Sequence, residues 1–314
     1  LNERTRMIIY PTINMVLTGD DIRALLKTFG ERVEKAVIDA GFTCPNIDGT
    51  CGTGGCSFCL NGSGEFTPKG ACTITKQLQA EADRISRKRA NAKLIAYFQA
   101  HTNTYADCDT LRAKYAEALS FPNVVGLSIG TRPDCINREN ADLIADIAKK
   151  TYVTVELGLQ TIHDRTARQF NRGYDFVQFE RAFCLLKERD IRVCVHMING
   201  LYGETRDDMV KTAAVLGKMR PDAVKIHLLH ILKHTTAEQQ YDSGELIPMR
   251  KDQYIDTVCR QLAVLPPECV IERLTGDGAK EQLVAPRWSL DKISVLAGID
   301  KEMHLRSLVQ GEFF

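Results

Sequence analysis

Three cysteines near the start of the chain, Cys44, Cys56 and Cys59, have the residue type and spacing to hold an iron–sulfur cluster. They lie in the run FTCPNIDGTCGTGGCSFCL, in a C-x11-C-x2-C pattern. Three thiolates can hold three irons of a [4Fe–4S] cluster and leave the fourth iron open to a small molecule. The spacing therefore predicts a site that can activate a ligand as well as carry electrons.

The loop around these cysteines is rich in glycine, which supports the same interpretation. A loop that wraps a cluster needs residues with positive φ and close approach of its backbone to sulfide. Phe58 lies inside the Cys-x-x-Cys pair and is a candidate cofactor contact. The loop glycines are Gly49, Gly52, Gly54, Gly55 and Gly62.

A Cys-x-x-Cys pair alone is shared with zinc sites and redox motifs, so two alternatives stay open. Cys51 precedes Cys56 with four residues between them, which is also a plausible ligand pair. We interpret Cys51 as an unligated loop thiol and Cys44 as the third ligand. Because Cys51 could instead supply a fourth ligand to zinc, a non-catalytic zinc or Fe–S binding protein is the competing class.

The elements that must position this loop alternate between two periodicities. Short apolar runs predict buried strands, and each is followed by a segment with helical spacing. Right-handed crossovers between such units give a parallel sheet, either doubly wound or closed into a barrel. The strands are predicted at 35–39, 93–99, 124–130, 152–160, 191–199 and 223–229, and the helices at 73–90, 111–119, 137–150, 176–189 and 205–219.

The order and distances of several motifs resemble the YtqA/YhcC family of Elp3-like radical S-adenosylmethionine (SAM) proteins. The resemblance covers nearly the whole chain, and Cys51 is a departure from the family pattern. It implies a [4Fe–4S] cluster on Cys44, Cys56 and Cys59, SAM as cofactor, and a reducing partner such as a flavodoxin or ferredoxin. The motifs are CPNIDGTCGTGGCSFC, AYFQAHTNTYAD, VGLSIGTRPDC, VELGLQTIHDRT with NRGYDF, HMINGLYGET, VKIHLLHILKHT and ERLTGDGAKEQLVAPRWSLDK.

The resemblance also implies the fold, an α/β partial (β/α)6 barrel. We expect an N-terminal extension over 1–30, the barrel over 31–265, and a C-terminal cap extension over 266–314. The last segment carries clusters of Gly, Pro and Arg that set it apart from the alternating units before it.

Polar residues at the ends of predicted strands are the candidates for binding SAM, because strand ends converge at the mouth of such a barrel. Glu156 and Gln160 flank Gly158 at period two and should share one face. They could bind the ribose and the amino-acid end of SAM, and the alternative for Glu156 is an ion pair inside the barrel. Gln99 follows the second strand, where many relatives carry a Gly-Gly-Glu that this chain lacks.

Three further candidates follow other strands. Arg132 can bind a carboxylate of SAM or substrate through two hydrogen bonds, and the alternative is a structural ion pair with Asp134. His196 and Asn199 end the fifth strand, before a turn that could face the adenine or the carboxylate. A histidine on a strand is, however, often a core residue with its hydrogen bonds satisfied.

Lys225 and His227 share one face of the sixth strand and are the candidate catalytic residues. A buried Lys–His pair is costly unless an anion meets it. We expect a carboxylate or phosphate of the substrate there. The alternative is internal pairing of Lys225 with Glu156.

The resemblance implies that the substrate is a wobble uridine of tRNA. In the YtqA branch it implies conversion of carboxymethylaminomethyl uridine to aminomethyl uridine, by hydrogen abstraction from the glycine-like CH2, a further oxidation and imine hydrolysis. A net charge of +1 gives no global attraction for RNA, so contact would rest on local clusters. Small metabolites or proteins are the alternative substrates. The candidate clusters are Arg84, Arg87, Lys88 and Arg89, and Arg165, Arg168 and Arg172.

Composition predicts a cytoplasmic protein. The chain of 314 residues is 44% hydrophobic, enough for one large core. No apolar run approaches the roughly 18 residues that a membrane span needs. The first residues also lack the apolar segment of a signal peptide. Its 11 cysteines are irregularly spaced, which favours a reducing compartment over a disulfide framework.

Overall fold

The computed structural model describes residues 29–60, 72–276 and 280–314. Residues 1–28 of the predicted N-terminal extension and Gly62 of the glycine-rich loop lie outside the described residues.

Seven parallel strands form one sheet, and its strand order follows the chain except that the short strand β7 (Ile231–Leu232) is omitted. All six strands predicted from sequence are present in it. The seventh, β8, comes from the segment predicted as a cap and pairs with β6. The strands of this sheet are β1 (Val33–Ile38), β2 (Lys93–Phe98), β3 (Val124–Thr131), β4 (Tyr152–Gln160), β5 (Arg192–Asn199), β6 (Ala223–Leu228) and β8 (Val270–Arg273).

The sheet curls until side chains of its two edge strands touch. Lys35 on β1 lies 3.2 Å from Glu272 on β8, although five strands separate the two in the sheet order. A flat sheet would hold these edges far apart, because neighbouring strands are about 4.8 Å apart. The predicted partial barrel is therefore confirmed, with one strand more than the six expected.

Helices cover the outer face, and side-chain caps define where several of them begin. Thr205 and Asp208 form a reciprocal capping box at the start of α6, and Asn137 and Asn140 form one at α3. The helices are α1 (Ile74–Ser86), α2 (Cys108–Ser120), α3 (Arg138–Ala148), α4 (Asp164–Gln169), α5 (Phe176–Lys187), α6 (Arg206–Met219), α7 (Thr236–Asp242), α8 (Lys251–Val264) and α9 (Lys292–Leu305).

The alternation of side chains along β4 separates an apolar outer face from a polar lumen. Val155 and Leu157 are fully buried in the main core, which also contains Phe179 of α5. Glu156 lies between them on the opposite face. The concave side of the sheet therefore carries the polar groups.

The C-terminal segment is structurally interleaved with the barrel. Besides β8, it contains β9 (Leu283–Ala285), which pairs antiparallel with β7 (Ile231–Leu232). Its helix α9 packs on α8. The boundaries 31–265 and 266–314 stay a prediction. In the described part of the chain, no helix is long and apolar enough to span a membrane.

Candidate functional site

The cysteine loop is bound at the carboxyl ends of the strands. Ser57 donates its amide hydrogen to the carbonyl of Phe170, which follows β4, over 3.0 Å. Its hydroxyl lies 2.9 Å from that of Tyr202, which follows β5. Its carbonyl accepts from the amide of Ala237, which follows β6, over 2.9 Å. Three strand ends thus hold the loop over the mouth of the barrel.

Two glycines explain how the loop folds so tightly. A Cβ at Gly52 would lie 2.2 Å from the side-chain oxygen of Asn46, so only glycine fits there. Gly55 has a φ of +73°, in the left-handed region, and its amide donates to the carbonyl of Asn46 over 2.8 Å. Asn46 is itself fully buried and binds the carbonyl of Asn171 over 2.5 Å.

The three predicted ligand cysteines interact electrostatically in this loop, and their role as cluster ligands stays a prediction. Hydrogen bonding to Cys59 holds the pKa of Cys56 below its usual value, against the effect of burial. The pKa of Cys59 is raised well above its usual value by the hydrogen bond with Cys56, by burial, and by the charges of Cys56 and Cys44. The three thiols are therefore electrostatic neighbours.

This donor set fits an iron–sulfur cluster. Among the described residues, no three His, Cys, Asp or Glu side chains form a group that could hold one metal ion. A [4Fe–4S] cluster gives each thiolate its own iron, so its ligands stand farther apart than those of a single ion, and thiolates are its usual ligands. Cys44, Cys56 and Cys59 would hold the cluster, which supplies an electron and an open iron when bound.

Cys51 lies to one side of these thiols, against an ion pair. Its sulfur is 3.7 Å from Arg132 Nη2 and 3.9 Å from Asp134 Oδ2. Burial raises the pKa of the Cys51 thiol, and the opposing charge of Arg132 does not offset this. The interpretation of Cys51 as an unligated thiol stays a prediction.

Arg132 is engaged by Asp134, as the alternative from sequence proposed. Its Nη2 and Nε lie 2.7 and 3.0 Å from the two carboxylate oxygens. The guanidinium carbon also lies 4.8 Å from the ring centroid of Tyr174. In this structure the two-pronged carboxylate contact of Arg132 is therefore made within the chain.

Glu156 is the centre of a buried network of charges in the lumen. Its Oε1 lies 3.2 Å from Lys35 Nζ and accepts from Ser128 Oγ over 2.7 Å. Its Oε2 accepts from Tyr97 over 2.7 Å, lies 2.8 Å from His196 Nε2, and pairs with Lys225 Nζ.

A second carboxylate balances the two lysines. Glu272 Oε2 lies 3.2 Å from Lys35 and 3.5 Å from Lys225. Both ammonium groups also lie near the ring of Tyr97, at 5.3 and 5.0 Å from its centroid. The lumen therefore contains two buried anions and two buried cations, which we call the lumen network.

The network holds its groups in the charged state. Burial alone would raise the pKa of Glu156, but Lys225 and Lys35 outweigh it and leave that pKa well below its usual value. Burial would lower the pKa of Lys225, but Glu156 raises it overall. Internal pairing is thus what the structure shows for Lys225 and Glu156, and their predicted contacts with substrate and SAM stay predictions.

Regular alternation along β4 predicts that Gln160 lies on the same face as Glu156, but the end of the strand is irregular. The pairing of β4 with β5 shifts register between Gly158 and Gln160. Gln160 has a φ of +63°, and its side-chain oxygen accepts from the Tyr174 hydroxyl over 2.9 Å. A bulge at the end of β4 therefore turns Gln160 toward the loop that follows the strand.

The structure does not bring His196 and Asn199 together. They are three positions apart on β5, so they lie on opposite faces of the strand. Asn199 is fully buried and exchanges hydrogen bonds of 2.8 and 2.7 Å with Gln261 of α8. Its amide therefore joins the sheet to a covering helix, and its expected contact with SAM stays a prediction.

His196 and His227 face each other in the lumen, with ring centroids 5.1 Å apart. Burial lowers the pKa of His196 despite its hydrogen bond to Glu156. Burial and the neighbouring charges lower the pKa of His227 still further. Both rings are therefore neutral near pH 7.

The two remaining candidates lie at the rim. Phe58 packs on Phe170, with ring centroids 5.4 Å apart, and so anchors the cysteine loop to the segment after β4. Gln99 follows β2, and its amide donates to the carbonyl of Ile38 over 3.1 Å.

Sequence reasoning missed the roles of Lys35, Ser128 and Glu272 in the lumen. The signal for two of them was a charged residue inside a short apolar strand, in VEKAVI and VIER. Charged residues are rarely buried unless paired, so each of these strands called for a partner of opposite charge elsewhere.

Known proteins share both the sequence and the fold. The model of the Radical SAM superfamily matches residues 47–216, and that of the Radical_SAM C-terminal domain matches residues 221–304. The chain is 44% identical to the uncharacterized protein YtqA of Bacillus subtilis, over 92% of this chain and 90% of YtqA. It is 34% identical to the protein YhcC of Escherichia coli, over 89% and 90%.

Among solved structures, Elp3 of the archaeon Methanocaldococcus infernus superposes with a TM-score of 0.67 at 17% identity. The match covers 88% of this chain and 64% of that Elp3 chain, so it supports the fold over somewhat less than two thirds of Elp3. Together with the extended identity to YtqA and YhcC and the three cysteines at the mouth of a partial barrel, these matches show that the chain belongs to the radical SAM superfamily.

Proposed function

We propose that this radical SAM enzyme modifies the wobble uridine of tRNA, converting a carboxymethylaminomethyl group to an aminomethyl group. The observation that carries the proposal is the cysteine loop fixed over a polar lumen, where the neutral rings of His196 and His227 lie beside the lumen network. The resemblance to the YtqA branch supplies the substrate. A flavodoxin or ferredoxin would supply the electron.

In this proposal the chain's own residues orient the substrate and manage protons. His196 is partly exposed, with 24% of its side chain accessible, while Glu156 fixes its ring. A neutral imidazole oriented by a carboxylate can accept a proton, as the loss of hydrogen from the CH2–NH group requires. The ammonium group of Lys225 keeps Glu156 ionised, and Glu156 in turn orients the ring of His196. Lys225 therefore acts as a positioning residue.

Contact with RNA would have to use fewer arginines than the sequence indicates. Arg84 pairs with Glu81, and Arg89 pairs with Glu34. Arg87 and Lys88 are exposed next to them on α1 and its C-terminal end. This surface, close to the start of β2, is one candidate for binding phosphate.

The second predicted cluster divides between surface and interior. Arg168 is exposed on α4, whereas Arg172 is only 1% exposed. Arg172 donates to the carbonyls of Leu159 and Thr161 over 2.6 and 2.7 Å. The expectation that Arg172 contributes to an RNA-binding surface is therefore wrong, because its guanidinium holds the end of β4.

Replacing Arg172 and Arg168 in turn should distinguish an interior arginine that stabilises the fold from a surface arginine that does not. Arg172→Met leaves three buried carbonyls without a donor and should lower the free energy of unfolding by at least about 3 kcal/mol, from three lost hydrogen bonds to a charged group. Arg168→Met should leave stability within about 0.5 kcal/mol, as is usual for surface sites. Urea unfolding measures both, and equal stability of the two variants would contradict the interior role of Arg172.

The modification itself is tested by nucleoside mass spectrometry of tRNA from a strain that lacks this gene. We expect carboxymethylaminomethyl uridine to accumulate and aminomethyl uridine, with nucleosides derived from it, to fall. A plasmid carrying the wild-type gene should restore the profile, and one carrying Cys56→Ala should not. An unchanged profile in the deletion strain would reject the tRNA substrate.

A further inference from the structure

Asn46 belongs to the cysteine loop, and its side chain contacts one of the predicted cluster ligands. The residue is fully buried. Its side-chain nitrogen Nδ2 lies 3.9 Å from Sγ of Cys56 and 2.5 Å from the carbonyl oxygen of Asn171. The cysteine pattern and the proposed reaction assign no role to this contact with sulfur.

The partners of the Asn46 carboxamide fix its orientation. A backbone carbonyl only accepts hydrogen bonds, so the end of the side chain that contacts Asn171 must be the NH2 group. This group carries two hydrogens, which leaves the second one for the sulfur of Cys56. The reversed carboxamide would place its oxygen against a carbonyl and a thiolate, both of which are acceptors.

The side-chain oxygen of Asn46 packs against two glycines on its other side. It is buried and accepts no hydrogen bond within the described structure. A Cβ at Gly52 would lie 2.2 Å from it, and a Cβ at Gly173 would lie 3.3 Å from it. Leaving a buried oxygen unsatisfied costs about 1–3 kcal/mol, so it is rare without a reason. Close packing of the two backbones thus holds the donor end of Asn46 at Cys56.

A hydrogen bond to the sulfur of Cys56 stabilises negative charge on it. Reduction of an iron–sulfur cluster adds an electron that is shared with the thiolate ligands, so a donor at a ligand sulfur favours the reduced form. Hydrogen bonds to the sulfurs are one of the means by which a protein sets the reduction potential of a cluster. Such a bond is stronger where the dielectric is low, and Cys56 packs against a buried hydrophobic cluster that includes Phe170 and Leu201.

We propose that Asn46 is a positioning residue that acts through Cys56: its side-chain N–H group donates to the thiolate and raises the reduction potential of the cluster. The cluster is then easier to reduce by an electron-carrier protein. The proposal goes beyond the tRNA substrate, because it depends on Cys56 as a ligand and on no particular substrate.

The test is a redox titration of the full chain, reconstituted with iron and sulfide under anaerobic conditions and followed by electron paramagnetic resonance. The variant Asn46→Leu keeps the approximate shape of the side chain and removes its donor group. The matched control is Asn171→Gly, which removes side-chain hydrogen bonds of 3.2 and 2.8 Å to the carbonyls of Thr53 and Gly55 in the same loop. Glycine suits this position because Asn171 has a φ of +56°.

We expect Asn46→Leu to lower the midpoint potential by about 59 mV, which is a tenfold change in the equilibrium constant for one electron. Asn171→Gly should leave the potential unchanged, because the contact between Asn46 and Cys56 is kept. Equal potentials of Asn46→Leu and the wild type would overturn the proposal. An equal shift in both variants would also overturn it, because loop packing alone would then set the potential.

If Asn46→Leu does not retain a cluster, a measurement on the wild type decides. Pulsed electron paramagnetic resonance of the reduced protein, with nitrogen-15 in the side-chain amides of its asparagines, should show a weak nitrogen coupling that Asn171→Gly retains. Absence of this coupling would reject the hydrogen bond from Asn46 to Cys56. Because neither measurement uses RNA, a failure of the tRNA modification would show separately, in the nucleoside profile.

Discussion

Replacing Cys56 or Cys59 by alanine should reduce reductive SAM cleavage below detection. Each substitution removes one of three thiolates from a site in which every ligand holds a different iron. The two thiols already interact through a hydrogen bond in the loop over the mouth of the barrel, so the loss of either leaves the site incomplete. The measurement is the yield of 5′-deoxyadenosine with dithionite, together with iron content.

Cys51→Ala is the matched control, because Cys51 lies in the same loop but contacts Arg132 and Asp134. It should keep both the iron and SAM cleavage close to wild-type levels. If Cys51→Ala is inactive while Cys44→Ala remains active, then Cys51 is the third ligand and the assignment of Cys44 is wrong.

The second large effect is expected at the centre of the lumen network. Glu156→Gln keeps the shape of the side chain but leaves Lys35 and Lys225 with one buried carboxylate, Glu272, between them. Removing one partner of a buried ion network typically costs about 3–5 kcal/mol. We expect a loss of this size in the free energy of unfolding, measured by urea titration.

The control is Glu268→Gln, which breaks the exposed pair of Arg220 and Glu268, where 64% and 59% of the two side chains are accessible. Such pairs contribute about 0–1 kcal/mol. If the two variants lose equal stability, the lumen network does not stabilise the barrel. Loss of SAM affinity in Glu156→Gln at unchanged stability would instead restore the direct SAM contact expected from sequence.

The pH dependence of this difference has a definite sign. Because the pKa of Glu156 is held below its unfolded value of 4.5, the carboxylate contributes its stability above that pH. The contribution is lost as pH falls below 4.5 toward the lowered folded pKa. The stability gap between wild type and Glu156→Gln should therefore narrow below about pH 4.5.

The strands, and the placement of the three cysteines in one loop, could be predicted from sequence because their signals are local. Each strand is a short apolar run, and the thiols lie within one loop. The lumen network could not be assembled in this way, since Lys35 and Glu272 meet only because the sheet curls. The alternation of side chains along a strand predicts that Asn199 and His196 lie on opposite faces of β5. It does not predict that Asn199 is buried against Gln261, because that residue lies on a helix distant in sequence.

The predicted clusters of basic residues also depend on tertiary contacts that the sequence does not reveal. Arg165, Arg168 and Arg172 are close in sequence, yet the turn after α4 sends Arg172 inward to three backbone carbonyls. Similarly, the register shift at the end of β4 redirects Gln160, and no residue pattern announces it. Residue type and spacing therefore identified the candidate residues. Tertiary contacts decide which of these side chains lie at the mouth of the barrel.

The central claim is that Cys44, Cys56 and Cys59 hold a cluster that lets this protein cleave SAM reductively. The most direct measurement is anaerobic purification followed by incubation with SAM and dithionite. We expect a brown protein with about four irons per chain, from one [4Fe–4S] cluster, that releases 5′-deoxyadenosine and methionine. A colourless protein with one zinc per chain and no cleavage of SAM would contradict the claim.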